Sequence, residues 1–192
     1  KMFKYIKYYF SPLMASMLII CCIKGNSYPT LFLVAFSSVM IIGDLFKKEN
    51  QIERFSYPFF LNLALYINLP ILFILVFFIV SIFSNSLPDW YLNGFSSILN
   101  IDLNVLTQSF SLLDKFSIIF STSLFIGSLG IVTAHELTHR KKNKFDMFIG
   151  NCLLSFSWDC NFAVEHVYGH HKNVCLDIDP ASAKRGENIY SF

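Results

Sequence analysis

The chain has 192 residues, of which 54% are hydrophobic and only 15% are charged. A soluble domain usually carries about a quarter charged residues, so this composition excludes an ordinary soluble protein and predicts an integral membrane protein. The formal net charge of +2 is close to neutral and gives no support to a nucleic-acid-binding protein.

Four apolar runs predict membrane helices. They lie at about residues 9–23, 28–43, 57–83 and 116–134. The first two are short for spanning helices, which need roughly 17 to 25 residues, and they predict a tight helical hairpin. The third is long enough to span with tilt. The polar residues 84–110 predict a loop, with Trp90 and Tyr91 as anchors at the membrane interface.

The distribution of lysine and arginine predicts the orientation. Basic residues precede the first run, lie between the second and third, and follow the fourth, whereas residues 85–110 contain none. Cytoplasmic loops carry the excess of basic residues. We therefore expect the N-terminus and the segment after the fourth run to face the cytoplasm.

Residues 145–164 are apolar but are interrupted by Asn151, Asp159 and Asn161. If this segment crossed the membrane, the histidines on either side of it would lie on opposite faces and could not share a site. We therefore predict a re-entrant or interfacial helical segment, followed by a cytoplasmic loop at residues 172–192. The predicted fold is a single domain, an all-α helical bundle with about four transmembrane helices.

All five histidines fall between residues 135 and 171, in two clusters. His135 and His139 belong to the motif H-E-L-T-H-R, and His166, His170 and His171 belong to E-H-V-Y-G-H-H. Residues four apart share one face of an α-helix, so each cluster predicts a pair that reaches one metal ion: His135 with His139, and His166 with His170. His171 would point about 100° away from His170 and could serve a second ion.

Two glutamates adjoin the histidines. Glu136 and Glu165 are expected to accept a hydrogen bond from the outer ring nitrogen of a ligand, or to bind metal directly. Iron, zinc and copper all suit such a donor set.

H-E-x-x-H is also the signature of zinc proteases, but a protease has no need for a second cluster with three histidines. A membrane zinc protease and a non-enzymatic metal-binding or transport protein are the alternatives from the residues alone.

The two histidine motifs, followed by Asp179-Pro180-Ala181-Ser182 and Gly186-Glu187, resemble the membrane alkane 1-monooxygenases. This family belongs to the histidine-box superfamily of fatty-acid desaturases and hydroxylases. The two boxes indicate the superfamily, and the later stretch favours the alkane hydroxylases. The resemblance implies a non-haem di-iron centre, with Asp179 as a further carboxylate that supports a ligand. The implied iron ligands are His135, His139, His166, His170 and His171.

The resemblance also implies an activity and partners. The family uses O₂ to hydroxylate the terminal carbon of an alkane, with electrons from rubredoxin and an NAD(P)H-dependent reductase. We expect a bacterial inner-membrane protein that contacts lipid and a hydrophobic substrate. A fatty-acyl desaturase or hydroxylase is the alternative within the superfamily. Because the family has further histidine boxes and helices downstream, we expect a C-terminally truncated fragment that is inactive by itself.

Overall fold

The computed structural model describes residues 3–46, 55–84 and 86–191 of the chain. Within these ranges every regular element is helical, so the predicted all-α fold is confirmed. The chain divides into two compact units, Lys1–Leu129 and Gly130–Phe192.

The first unit contains seven helices among its described residues, after two short helical turns at Phe3–Ile6 and Lys7–Tyr9. They are α1 (Phe10–Lys24), α2 (Tyr28–Leu45), α3 (Pro58–Tyr66), α4 (Asn68–Phe83), α5 (Asp89–Leu99), α6 (Leu103–Gln108) and α7 (Leu112–Phe125). Helix α1 packs against α2, α4 and α7, and Leu18 and Leu72 are completely buried. The result is a helical bundle.

Helices α1 and α2 form the expected hairpin. The turn between them requires glycine, since Gly25 has φ +71° and a Cβ atom there would lie 2.7 Å from the hydroxyl oxygen of Ser109. A left-handed backbone conformation costs little only for glycine.

Four helical stretches in the described part of the chain are long and apolar enough to cross a membrane. They are Lys4–Lys24, Tyr28–Leu45, Pro58–Phe83 and Leu112–Thr138. The protein is therefore an integral membrane protein with about four transmembrane helices, as the composition predicts.

The expected loop at residues 84–110 is wrong in detail, because α5 and α6 lie within it. The Asp102 side chain accepts hydrogen bonds from the first backbone N–H groups of α6, which stabilises the start of a helix. Helix α5 packs on α4 through the stacked rings of Phe95 and Phe78, 5.5 Å apart. The hydroxyls of Tyr91 and Ser81 also lie 2.6 Å apart, whereas Trp90 is exposed.

A buried carboxylate connects α2 and α7. Asp114 accepts a hydrogen bond of 2.5 Å from the Thr30 hydroxyl. It also accepts the backbone N–H and the hydroxyl of Ser111 in a capping box at the start of α7. An unpaired carboxylate would be costly in an apolar bundle, and these three donors compensate its burial.

The second unit contains α8 (Val132–Thr138) and α9 (Lys144–Ser155), which pack closely together. The contact depends on Gly150, because a Cβ atom there would lie 3.2 Å from the Thr138 methyl carbon. After a turn at residues 156–161, the chain forms α10 (Phe162–Val164), a π-helical turn (Glu165–His170) and α11 (His171–Asn173). The depth of residues 145–164 in a bilayer stays a prediction.

Candidate metal centre

His135 and His139 lie one turn apart at the end of α8. His135 belongs to the helix, and His139 is its C-terminal capping residue. Their Nε2 atoms are 3.2 Å apart, so both can reach one ion, as the four-residue spacing predicts.

The second cluster differs from the expected α-helical arrangement. Glu165–His170 is a π-helical turn, in which backbone hydrogen bonds join residues five apart. The wider turn brings His166 over His171, and their Nε2 atoms lie 3.1 Å apart. The ring of His170 is 5.5 Å from that of His166. The sequence prediction paired His166 with His170 because it assumed the α-helical period.

The two pairs converge. The Nε2 atoms of His135 and His166 lie 2.7 Å apart, although 31 residues separate them. One ring nitrogen from each of four histidines lies within 4.8 Å of the others. These histidines, the four-histidine group, are His135, His139, His166 and His171. Four imidazole nitrogens that converge on one point suit iron, zinc or copper, so the donor set fits the implied iron.

The protonation of His166 favours metal binding. Burial, followed by the charges of His135, His171, His139 and His170, lowers its pKa from 6.5 to about 4. The ring is therefore neutral at pH 7, which is the form that binds metal. The Phe162 ring stacks on it at 4.7 Å and covers one of its faces.

His170 lies beside the four-histidine group and has a different partner. Its Nδ1 donates a hydrogen bond of 2.8 Å to Asp179, whose side chain is buried. Asp179 also accepts from the Ser182 hydroxyl and the Ala181 backbone N–H. The hydrogen bond from Ser182, and smaller contributions from His170 and Ala181, lower the pKa of Asp179 below 3.8 against the opposing effect of burial.

The two glutamates have different surroundings. Glu136 is exposed and forms an ion pair of 3.1 Å with Arg140. Glu165 is exposed and lines a hollow of about 440 Å³ together with His166, His170 and Asp179. The roles of both glutamates beside the metal stay predictions.

Sequence reasoning missed the contacts that Lys141 makes beside the histidines, since the basic residues after the fourth apolar run serve there only to predict the orientation. Its ammonium nitrogen lies 3.5 Å from the Val167 carbonyl oxygen and 4.5 Å from the centre of the Tyr168 ring. Lys141 therefore ties the segment after α8 to the π-helical turn. No local sequence pattern signals such a long-range contact.

Comparison with curated proteins gives relatives that share one activity. The alkane 1-monooxygenase of Pseudomonas putida is 37% identical over 86 residues, which are 45% of this chain and 21% of that protein. The enzyme of the same name from Acinetobacter baylyi is 39% identical over 67 residues, 35% of this chain and 16% of that protein. The chain is similar to the alkane 1-monooxygenases. The resemblance expected from the histidine motifs is confirmed.

A second relative matches more of the chain. The xylene/toluene monooxygenase hydroxylase component XylM of Pseudomonas putida is 25% identical over 187 residues, 97% of this chain and 45% of that protein. The matches thus span about a fifth of the alkane 1-monooxygenases and less than half of XylM. No family model matches the chain, and no solved structure matches it significantly.

Proposed function

We propose that this chain forms part of a non-haem di-iron membrane monooxygenase that hydroxylates the terminal carbon of an alkane. The observation that carries the proposal is the convergence of four histidine nitrogens from both motifs. A metal site of this composition, in a helical membrane protein similar to alkane 1-monooxygenases, favours oxidation of an apolar substrate.

The five histidines would hold the iron. The four-histidine group offers one site, and His170 offers its free Nε2 beside it. Imidazole-bound iron would supply the redox chemistry that activates O₂, which zinc cannot do. In the overall reaction the alkane and O₂, with two electrons and two protons, give the primary alcohol and water.

The location and partners are part of the same proposal. An apolar substrate would enter from the bilayer, and the excess of basic residues near the histidines favours a cytoplasmic metal centre in a bacterial inner membrane. Rubredoxin, reduced by an NAD(P)H-dependent reductase, would donate the electrons. Residues 1–192 would form the N-terminal part of a single desaturase/hydroxylase-like domain.

A methyl-substituted aromatic compound is a second candidate substrate. It is favoured by the match to XylM, which covers nearly the whole chain, whereas the alkane 1-monooxygenases match less than half of it. Terminal alkane carbons and aromatic methyl groups both present a CH₃ group at the end of an apolar molecule. A fatty-acyl chain is the alternative substrate if the protein is instead a desaturase or hydroxylase of the same superfamily.

The surroundings of Glu136 disfavour the zinc protease. In H-E-x-x-H proteases the glutamate is the general base at the metal. Here Glu136 is exposed and paired with Arg140, while a second histidine cluster completes the group of donors.

Product analysis tests the proposal. Because residues 1–192 are expected to be inactive by themselves, the assay uses membranes that contain the whole monooxygenase of which they would form part. These membranes would receive an n-alkane, p-xylene or a fatty-acyl substrate, together with ¹⁸O₂ and reduced rubredoxin. We expect ¹⁸O in a primary alcohol, and its loss in His135→Ala and His166→Ala. Labelled methylbenzyl alcohol alone would favour the XylM-like activity. Peptide hydrolysis that disappears in Glu136→Gln, without oxygen incorporation, would contradict the proposal.

A further inference from the structure

An apolar groove lies in the first unit, between α1, α4 and α5. Its volume is about 520 Å³, and every side chain that lines it, from Ile19 to Leu99, is aliphatic or aromatic. The hydroxyl of Tyr91, one of these residues, lies 2.6 Å from the Ser81 hydroxyl and is already hydrogen-bonded. The apolar groove therefore suits an occupant that needs apolar contacts rather than hydrogen bonds.

A glycine on α5 keeps the apolar groove open. Helix α5 is held against α4 by two aromatic contacts. Phe95 stacks on Phe78 at 5.5 Å, and Tyr91 meets Phe77 edge-on at 5.8 Å. Gly94 lines the groove beside them, and a Cβ atom there would meet nothing within 4 Å. The missing side chain at position 94 leaves space that a larger residue would fill.

The apolar groove is as deep as one leaflet of a bilayer. Of its lining residues on α4, Phe73 lies farthest from the end of that helix at Phe83, ten residues away. A helix rises about 1.5 Å per residue, so this distance is about 15 Å, half of the roughly 30 Å hydrocarbon core. Ile19 and Ile23 line the groove in the last turns of α1. The length of the groove thus matches a hydrocarbon chain in one leaflet.

The size of the apolar groove disfavours a protein partner. Twelve of the described residues line it, whereas each side of a specific protein interface comprises about 20–30 residues. The groove volume of about 520 Å³ is also close to that of one turn of an α-helix, which is about 5.4 Å tall and 10–12 Å across. A second copy of the chain or a partner helix would need a longer surface.

We propose that the apolar groove binds one acyl chain of a phospholipid, in the leaflet where α5 lies. A concave site holds the chain on several sides, unlike the convex helix faces that bilayer lipid covers in any membrane protein. The exposed ring of Trp90 is of the kind that lies at the level of the lipid headgroups. The bound chain fills the space beside Gly94 and joins α5 to α1. This site is independent of the proposed metal centre.

Trp90 reports the occupant, because it lines the apolar groove and Trp158 is the other of the two tryptophans. The chain with Trp158→Phe, in detergent, would be titrated with a phosphatidylcholine whose acyl chains carry bromine, which quenches tryptophan fluorescence. Gly94→Leu fills the groove. Gly43→Leu is the matched control, because a Cβ atom at this helical glycine also meets nothing within 4 Å. Ile74→Phe narrows the groove from α4 if Gly94→Leu does not fold.

We expect quenching of Trp90 that saturates at an equimolar ratio of lipid to protein and is reversed by the same lipid without bromine. Gly94→Leu should weaken this binding by about tenfold or more, because overpacking of a filled contact is costly. Gly43→Leu should bind the lipid as the Trp158→Phe protein does.

Two results would overturn the inference. Quenching that rises without saturation, or that is equal in Gly94→Leu and Gly43→Leu, would make the groove an ordinary lipid-facing surface. Trp90 fluorescence that no amount of brominated lipid quenches would mean that protein rather than lipid covers the groove. Neither result bears on metal binding, so failure here and failure of the proposed function are distinguishable.

Discussion

The Nε2 atoms of His135 and His166 lie 2.7 Å apart. Two imidazole lone pairs at this distance repel unless a proton or a metal ion lies between them. A neutral ring with its proton on Nε2 can donate to the other ring, and a cation can bind both lone pairs. Because the pKa of His166 is lowered to about 4, no additional proton on this ring competes with a cation at neutral pH.

Removing a member of the four-histidine group should weaken metal binding more than removing His170, which lies beside the group. We expect His166→Ala to lower the Co²⁺ affinity at least about 100-fold, beyond the usual effect of losing a supporting residue. His170→Ala should have a smaller effect, because His170 lies outside the group. Titration followed by absorption checks this order, and the reverse order would contradict the assigned group.

Acid should destabilise the metal-free protein through His166. The pKa of His166 is about 4 in the folded chain and 6.5 in the unfolded chain. Between these pH values the unfolded chain therefore binds a proton on His166 more strongly than the folded chain does. The contribution of His166 to the free energy of unfolding is therefore complete above pH 6.5 and is lost as the pH falls to about 4. Thermal unfolding across this range measures it.

His166→Asn is the matched control for the pH experiment, because it removes the titrating group. Its unfolding temperature should depend less on pH than that of the wild-type protein within this window. The depressed pKa of Asp179 acts only below its ordinary value of 3.8, outside the window. Equal slopes for both proteins would contradict the assignment.

The close contact between α8 and α9 should not tolerate a larger residue at position 150. Gly150→Leu would force the Thr138 methyl group and the Ala134 carbonyl away, and overpacking of this kind costs about 1–3 kcal/mol. We expect a lower unfolding temperature and weaker Co²⁺ binding. Gly43→Leu is the control, since a Cβ atom there meets nothing within 4 Å. Equal losses in both variants would contradict the argument.

The buried carboxylate of Asp114 should stabilise the first unit. Asp114→Ala removes the acceptor of the Ser111 hydroxyl and the shorter of two contacts of the Thr30 hydroxyl, and it removes the capping box of α7. We expect a loss of about 1–3 kcal/mol in unfolding free energy. Asp89→Ala removes an exposed carboxylate and should change the free energy of unfolding little. Denaturant unfolding in detergent compares the two.

Charge reversal should reveal whether the basic segment docks an acidic electron donor. Lys142→Glu with Lys144→Glu changes two exposed residues and spares Lys141, which contacts Val167. Donor-dependent turnover should fall about tenfold at low salt, and the difference should shrink as salt rises. Lys24→Glu is the control, because Lys24 directly follows the first apolar run, which the predicted orientation places on the face opposite the cytoplasm. Unchanged turnover at low salt would sink this docking hypothesis.

The sequence by itself determined the membrane class, about four spanning helices and the stretch of chain that contains the candidate metal ligands. Apolar run length is a local property, because the thickness of the bilayer fixes how many residues a helix needs. The clustering of all five histidines in 37 residues likewise stands out without any structure. The pair His135 and His139 follows from the α-helical period alone.

Only the tertiary structure decided which histidines of the second cluster point together. The π-helical turn replaces a spacing of four residues by one of five, so His171 joins His166 and His170 turns to Asp179. Nothing in E-H-V-Y-G-H-H prescribes that turn. Residues of the turn contact segments outside the motif, as Val167 does with Lys141 and His170 with Asp179, and these contacts form only when the unit folds.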